Sequence, residues 1–419
     1  MGPSLLFDKS FLQSLNLDEA VILDQLFTCI ITPLFFAETL GGLAKASSGR
    51  RRPEAVVASL AEKSPIAHSY PNAFHRRLIV NELLGMPTEM RRRPALPGGI
   101  PVQSEGKSGI VFKQGPENEA FSRWQDGEFS EIERIISASW RDHLGKLDLA
   151  SMAKTFKAAL SKTDLPKNHQ QAREMARAFV WSSGKNIQAV RLAFAVFDIS
   201  AEDQKAILQR WKKAGFPPLP QFAQYTAFCL EVEFYFYLAI SNGIISDQRA
   251  SNKVDIGYLY YLPFASVFVS NDKLHRASVP LFTESDQTFV WGPELKKDLT
   301  TLNDRFQQLP EEQRAQGIFT LVKEPPRDHN GIVSMLWDKR DKDWRSQKER
   351  SVRDPEIGKE IVREGRKLLK AADGRPPEVY PPNFPSFDTV DRILIERRIP
   401  VHRGSWRIIS EEVAEQDKV

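Results

Sequence analysis

Asp8 follows the apolar run Leu5-Leu6-Phe7 directly, and Asp272 closes the stretch Val267-Phe268-Val269-Ser270-Asn271. Acids in such places hang from the carboxyl ends of strands, where open α/β sheets bind their ligands. Two more acids sit at helix positions. Glu38 lies within a helix begun by Thr32-Pro33, and Asp255 opens a short helical stretch closed by Pro263 that leads to the strand delivering Asp272. Carboxylates held a few ångströms apart repel and raise one another's pKa unless a cation compensates. Hard oxygen donors suit Mg²⁺ or Mn²⁺, which keep waters and take a few carboxylates together with phosphate oxygens. The chemistry this set offers is the binding of a divalent cation.

The elements that must position these acids can be read from apolar pattern and turn residues. Residues 1–45 read β-α-β-α: Leu5-Leu6-Phe7, a helical stretch near Asp18 to Leu26, Cys29-Ile30-Ile31, and a helix capped by Thr32 with Pro33 in its first turn, where the missing N–H costs nothing. Residues 46–219 read as an insertion. It begins with basic connecting structure to about Pro94, marked by Arg50, Arg51 and Arg52 and by Arg91, Arg92 and Arg93, with loop-like Pro97-Gly98-Gly99 and 104–109 after it. Helical periodicity follows over 117–214. From 220 to 307 an aromatic-rich helix, Phe222 to Tyr237, precedes the β-branched run 265–269, a second strand Thr288-Phe289-Val290-Trp291, and a helix start at Gly292-Pro293-Glu294. Strands alternating with helices predict an α/β fold with a mostly parallel central sheet flanked by helices. Residues 308–419 form a charged C-terminal region with Trp337 and Trp344 among charges from Asp338 to Arg353. A Pro-rich segment from Pro376 to Pro385, the strand-like Ile393-Leu394-Ile395 and an acidic tail follow. No internal repeat is present.

Four segments together resemble the acidic motifs of PIN-domain nucleases: Leu5-Leu6-Phe7-Asp8-Lys9-Ser10-Phe11-Leu12, Ile31-Thr32-Pro33-Leu34-Phe35-Phe36-Ala37-Glu38, Asp255-Ile256-Gly257, and Val269-Ser270-Asn271-Asp272. The order matches, as do the 30 positions from Asp8 to Glu38 and the 17 from Asp255 to Asp272. Ser270 stands where the family commonly has a hydroxyl residue. The resemblance covers residues 1–45 and 220–307, and it implies a PIN-like core split by a large helical insertion. It further implies a metal-dependent endonuclease in which Asp8, Glu38, Asp255 and Asp272 hold Mg²⁺ or Mn²⁺ and Ser270 steadies the site. Metal-activated water would then cut a nucleic-acid backbone, RNA ahead of DNA, leaving a 5′-phosphate and a 3′-hydroxyl. The chain departs from the family in two places. The 216 residues between Glu38 and Asp255 exceed the usual span, which leaves Asp247 as a rival third acid and Glu231 and Glu233 as additional ligands. Lys9 replaces a small polar residue and could contact a phosphate.

Other readings compete. A haloacid dehalogenase-like phosphatase also uses a strand-end aspartate, but needs a second acid two residues on, where this chain has Ser10. A non-catalytic PIN-like scaffold is the third reading. Any single acid is more often a helix cap or surface carboxylate, and Asp255 suits an N-cap. The arginine triplets are more often solvated loop charge than a nucleic-acid groove, and the two tryptophans more often anchor a charged helix than stack on bases. The seven histidines lack ligand spacing, and His275 by default belongs on the surface or in support of the site. No phosphate-binding Gly-x-x-x-x-Gly-Lys-Ser/Thr loop and no Gly-x-Ser-x-Gly elbow occurs.

Bulk properties are compatible with this reading and do not select it. The 419 residues are 41% apolar, enough for real cores, and carry a net charge of +4, a mild basic bias that permits phosphate contact. Apolar stretches such as Ile30 to Phe36 are far shorter than the roughly 20 residues of a membrane span, so no membrane partner is expected. The N-terminus lacks the basic and apolar regions of a secretory signal, and Leu6 stands where a myristoylation motif wants a hydroxyl. Cys29 and Cys229 read as buried thiols of a reducing, cytoplasmic setting. Nucleic acid is the expected partner. A regulatory protein or a second copy of the chain is compatible with the sequence.

Overall fold

The strands that carry the acids have no exposed face. Leu5, Leu6, Phe7, Phe268 and Val269 are fully buried, as expected of parallel strands covered by helices on both sides. The structure is a computed structural model, and it describes residues 2–45, 52–104, 106–159, 165–182, 186–346, 355–381, 384–385 and 389–410. In chain order the strands of the two larger sheets are β1 (Ser4–Phe7), β2 (Thr28–Ile31), β3 (Ser69–Pro71), β4 (Ile100–Ser104), β5 (Lys107–Phe112), β6 (Val267–Ser270), β7 (Thr288–Trp291) and β8 (Arg392–Ile395); His402–Arg403 and Trp406–Arg407 make a small antiparallel pair. Five of them form a central sheet in the order β3-β2-β1-β6-β7. Every neighbouring pair in it is parallel, with Leu5 opposite both Cys29 and Val267. The fold is therefore α/β, with a parallel central sheet flanked by helices.

Local chemistry explains the elements around the site. Asp8 caps the helix Lys9–Ser14, and Thr32 caps Pro33–Leu40 by accepting from the Phe35 N–H at 3.0 Å, with Pro33 in the first turn as read from sequence. Asn16 and Glu19 make a reciprocal capping box at the start of Leu17–Leu26. The helix Gln224–Ser241 packs against Leu149–Ala159 and His169–Val180, and the hydrophobic core runs without a break from these helices into the sheet. A second, smaller sheet of three strands, in the order β4-β5-β8, has a separate core in which Val102 and Val111 pack with Leu368 and Ala372 of the helix Pro355–Ala372. No helix among the described residues is long and apolar enough to cross a membrane.

Several expectations change. The stretch 47–94, read as basic connecting structure, holds the helices Pro53–Lys63 and His75–Leu84 and the edge strand β3 of the central sheet. Arg50 and Arg51 lie outside the described residues. The loop-like 104–109 belongs largely to paired strands: Ser104 of β4 faces Lys107 of β5, and Gly109, inside β5, packs so tightly that a Cβ would stand 3.1 Å from Val102 and 3.2 Å from Leu368. Isolated turn residues gave no sign of the hairpin partner that pairs them. The run 393–395 is a strand, but it joins the small sheet. Asp255 does not open its helix: the helix is Ser251–Gly257, capped by Ala250, and Asp255 lies inside it. Trp337 and Trp344 are anchors. They are buried, meet edge to face at 5.5 Å, and bond to the Leu26 carbonyl and to Asp338. The charged run from residue 347 to 353 and the acidic tail from 411 lie outside the described residues. Cys29 and Cys229 are free, buried thiols.

Edge strand β3 is held by one carboxylate. Asp24, 1% exposed, accepts from the N–H groups of Ile66, Ala67 and His68 at 2.7, 2.8 and 2.9 Å and pairs with Arg403 at 3.2 Å. Replacing it by alanine leaves three backbone donors at least partly buried without their acceptor and takes from the buried Arg403 guanidinium its one counter-charge among these contacts, though its bonds to the Glu62 and Ser64 carbonyls remain. We expect Asp24→Ala to cost about 3–5 kcal/mol in urea unfolding; a loss below about 1 kcal/mol would show that β3 is held by other contacts.

Candidate functional site

In the central sheet the chain winds outward from β1 through β2 to β3, and later returns to the other side of β1 as β6. The switch point lies between β1 and β6, and in open α/β sheets the crevice beyond the carboxyl ends of strands at that point is where ligands bind. Asp8 follows β1, and Ser270 ends β6 with Asp272 two residues on. Glu38 reaches the same edge from the helix after β2. Asp255 comes from the helix whose continuation, the 3₁₀ stretch Tyr258–Phe264, feeds β6.

Hydrogen bonds tie these residues into one network. Asp8 Oδ1 accepts from the Phe11 N–H at 2.9 Å, and its Oδ2 accepts from the hydroxyls of Ser10 at 2.7 Å and Ser270 at 2.8 Å. The Ser270 oxygen accepts from the Asp272 N–H at 2.8 Å and lies 2.8 Å from His275 Nδ1. His275 Nε2 is 2.7 Å from the Asp255 backbone carbonyl, and Nδ1 is 3.4 Å from Asp8 Oδ2. The Tyr258 hydroxyl donates to Glu38 Oε2 at 2.8 Å, while the Lys9 ammonium donates to the Glu38 backbone carbonyl at 2.7 Å. Asn271 adds a brace, donating from both its nitrogens to Ser10. Its carboxamide packs against Gly292, where a Cβ would overlap Asn271 Oδ1.

These partners fix the protons. The single Ser270 proton goes to Asp8, so His275 Nδ1 must donate to Ser270; a backbone carbonyl only accepts, so Nε2 donates to Asp255. Both ring nitrogens carry hydrogen, and His275 is an imidazolium although wholly buried. Burial by itself lowers its pKa, but the hydrogen bond and charge of Asp8 outweigh it and raise His275 to about 9. Asp8 shows the reciprocal effect: burial pushes its carboxyl up, while His275, Ser10 and the Phe11 N–H together hold it below the ordinary value. Burial raises Glu38 against the opposing pull of Lys9 and Tyr258. Asp255 is raised to about 7 by burial, partly offset by His275 and then increased by Asp272, Glu38 and Asp8. The four acids therefore feel one another across a common space.

Access differs among them. Asp8 is buried at 4% exposure, whereas Glu38, Asp255 and Asp272 are half-buried and reachable from solvent. Among the described residues no group of three or more His, Cys, Asp or Glu side chains is drawn close enough to form a ready-made metal cage. The donor set still fits a hard cation, because Mg²⁺ uses one or two carboxylates and keeps its waters. The buried Lys9 ammonium sits beside Glu38: burial lowers its pKa, Glu38 opposes this, and the exposed Lys45 and Arg141 reinforce it. Arg141 belongs to the helix Glu131–Lys146, which packs on the helix carrying Glu38.

The sequence alternatives separate from the site. Asp247 accepts from its neighbour Gln248, and Asp255 is the third acid that senses the others. Glu231 pairs with Arg173 and Trp181, and Glu233 with Lys253. His275 is not on the surface: it is wholly buried and supports the site, the other placement the sequence allows, while the parts of Tyr258 and Ser10 are legible only in the structure. A signal for His275 existed in its spacing, three residues after Asp272 in the first turn of the helix Lys273–Ser278, which faces back to the strand end. Comparison of the chain with protein-family models, curated proteins and solved structures finds no match. Function must be argued from the site itself.

An acid whose pKa is raised by folding costs stability where it is ionised. For Asp255 the folded value of about 7 exceeds the ordinary 3.8, so the cost is absent below about pH 4, grows as pH rises through 7 and is then constant. In EDTA, Asp255→Asn should therefore be more stable than the parent above pH 7, by on the order of 1–2 kcal/mol, with the difference fading towards pH 4. Equal melting temperatures at pH 8 would refute this.

Proposed function

We propose that this chain is a metal-dependent nuclease with a PIN-like core, hydrolysing nucleic-acid phosphodiester bonds, with RNA the first substrate to test. The observation that supports it most is that Asp8, Glu38, Asp255 and Asp272, carried by four separate elements, lie towards the carboxyl edge of the parallel sheet at its switch point, with Asp255 feeling the charge of the other three. Asp8, Glu38, Asp255 and Asp272 would hold Mg²⁺ or Mn²⁺, directly or through water. When bound, the cation supplies an activated water and stabilises charge on the attacked phosphate and the leaving oxygen.

The chain's own residues do the rest. Ser10, Ser270 and the Phe11 N–H fix the Asp8 carboxylate, and Tyr258 orients Glu38. Asp255, near half-protonated at neutral pH, can give up its proton from the carboxyl when a positive charge arrives. Lys45 and Arg141, whose charges Lys9 feels, would meet backbone phosphates.

A phosphatase with Asp8 as nucleophile is disfavoured by geometry, since both Asp8 oxygens are engaged by protein donors and Ser10 donates where a second acid would be needed. A binding scaffold is the reading favoured by one observation: the His275 imidazolium and Lys9 already compensate part of the acidic charge.

Cleavage of labelled single-stranded RNA and DNA by the parent and an Asp8→Asn/Asp272→Asn variant, with Mn²⁺, Mg²⁺ or EDTA, decides between them. The nuclease should cut only with metal, leave 5′-phosphate and 3′-hydroxyl ends, and lose at least about 100-fold in the variant. Cleavage that persists in EDTA or in the variant would overturn the assignment, and a folded protein inert with every metal would favour the scaffold.

A further inference from the structure

A cavity of about 940 Å³ opens at the amino edge of the same sheet. Its floor is formed by residues at or beside the starts of four strands: Ser4, Thr28, Val267 and Thr288. The carboxylates stand beyond the other end of these four-residue strands, roughly 13 Å of extended chain away. The two sites are separate and lie at opposite edges of one sheet.

The lining has a marked charge. Arg91, Arg92, Arg93, Lys339, Arg340 and Arg397 face it, against Asp286 as the single lining carboxylate. Arg92 is committed to Asp286 and Glu284, bonding to them at 2.9 and 2.6 Å. Lys339 and Arg397 are held differently, by neutral partners. Lys339 donates to the Gln287 carbonyl and the Thr288 hydroxyl, both at 2.8 Å. Arg397 donates to the Ala67 carbonyl and lies over the Tyr70 ring at 4.4 Å. Such bonds fix a cation's position without cancelling its charge.

The arginine triplet is also built rather than loose. Arg92 stands at φ 57°, a left-handed backbone that a non-glycine residue adopts only when held. It is held by its N–H to the Pro263 carbonyl at 3.2 Å and by the Ser4 hydroxyl on its own carbonyl at 2.8 Å. This turn sets Arg91 and Arg93 on the cavity wall. The remaining wall is apolar, from Leu96, Leu336, Ile393 and Ile395. Basic groups beside an apolar wall suit an anion with an organic body better than a bare inorganic ion, and the volume is that of a small-molecule site.

We propose that this cavity binds an organic phosphate of nucleotide size, its phosphates on the arginines and Lys339 and its body on the apolar wall. The assignment is independent of the nuclease reading. Isothermal titration of the full chain in EDTA with ADP, GDP and UDP should show saturable one-to-one binding for at least one of them, with inorganic pyrophosphate and the matching nucleoside each weaker by about tenfold or more. Arg93→Ser/Arg340→Ser, with its fold checked by far-ultraviolet dichroism, should lose about tenfold or more in affinity. Lys339→Ala, on another exposed side chain, should weaken binding in the same direction. Absence of binding by all three nucleotides, affinity unmoved by the arginine variant, pyrophosphate binding as tightly as the nucleotide, or single-stranded oligonucleotides binding more tightly with length would each overturn the proposal; the last would make the cavity part of a nucleic-acid groove.

Discussion

The buried Asp8 carboxylate is the point through which the functional edge of the sheet is joined. It caps the helix that leaves β1, receives the Ser270 hydroxyl from the end of β6, and faces the His275 imidazolium. Residues some 262 positions apart are thereby fixed at hydrogen-bond distance. A carboxylate at 4% exposure would be costly without these donors, and an imidazolium in the same place would be costlier still without the carboxylate. Each makes the other's charge tolerable. Their mutual need defines the crevice floor more firmly than apolar packing alone could, because hydrogen bonds carry direction.

From that floor the remaining acids rise towards solvent in a graded environment. Asp8 is held ionised by its donors, Glu38 is raised by burial but tied to Tyr258 and Lys9, and Asp255 is poised at about 7. Three half-buried carboxylates left to repel one another do not stabilise the fold. Protein sites tolerate such an arrangement where function needs the charge, and perturbed acids in a crevice are a physical mark of a functional site. The helix Glu131–Lys146 contributes to this edge as well, since Lys9 feels the charge of its Arg141.

The sheet thus presents two electrostatically opposite ends. Acids gather beyond the carboxyl ends of β1, β2 and β6, and bases gather at their amino ends, recruited from the turn at 91–93, the helix Ile332–Arg340 and the segment after β8. The near-neutral balance of the whole chain, +4, conceals this separation. Net charge reports solubility and long-range attraction; it says nothing of where charges are placed.

Much of the site was legible in the sequence because it is local. An acid directly after an apolar run, a Thr-Pro helix start, a Ser two residues before an acid and strands alternating with helices are patterns within a few residues, set by backbone geometry and capping chemistry. They determined the α/β class and placed strands at 5–7, 29–31, 265–269 and 288–291, which the structure has at 4–7, 28–31, 267–270 and 288–291, and they offered Asp8, Glu38, Asp255 and Asp272 as candidate site acids. Edge strand β3, the small sheet joining 100–112 to 392–395, the inward turn of His275, and the cavity that gathers Arg91, Arg93, Lys339 and Arg397 were decided by tertiary structure alone. Each depends on partners dozens to hundreds of residues away: three residues such as Ser69–Pro71 become a strand only because β2 offers its free edge, and a histidine stays charged in the core only because Asp8 is there to meet it.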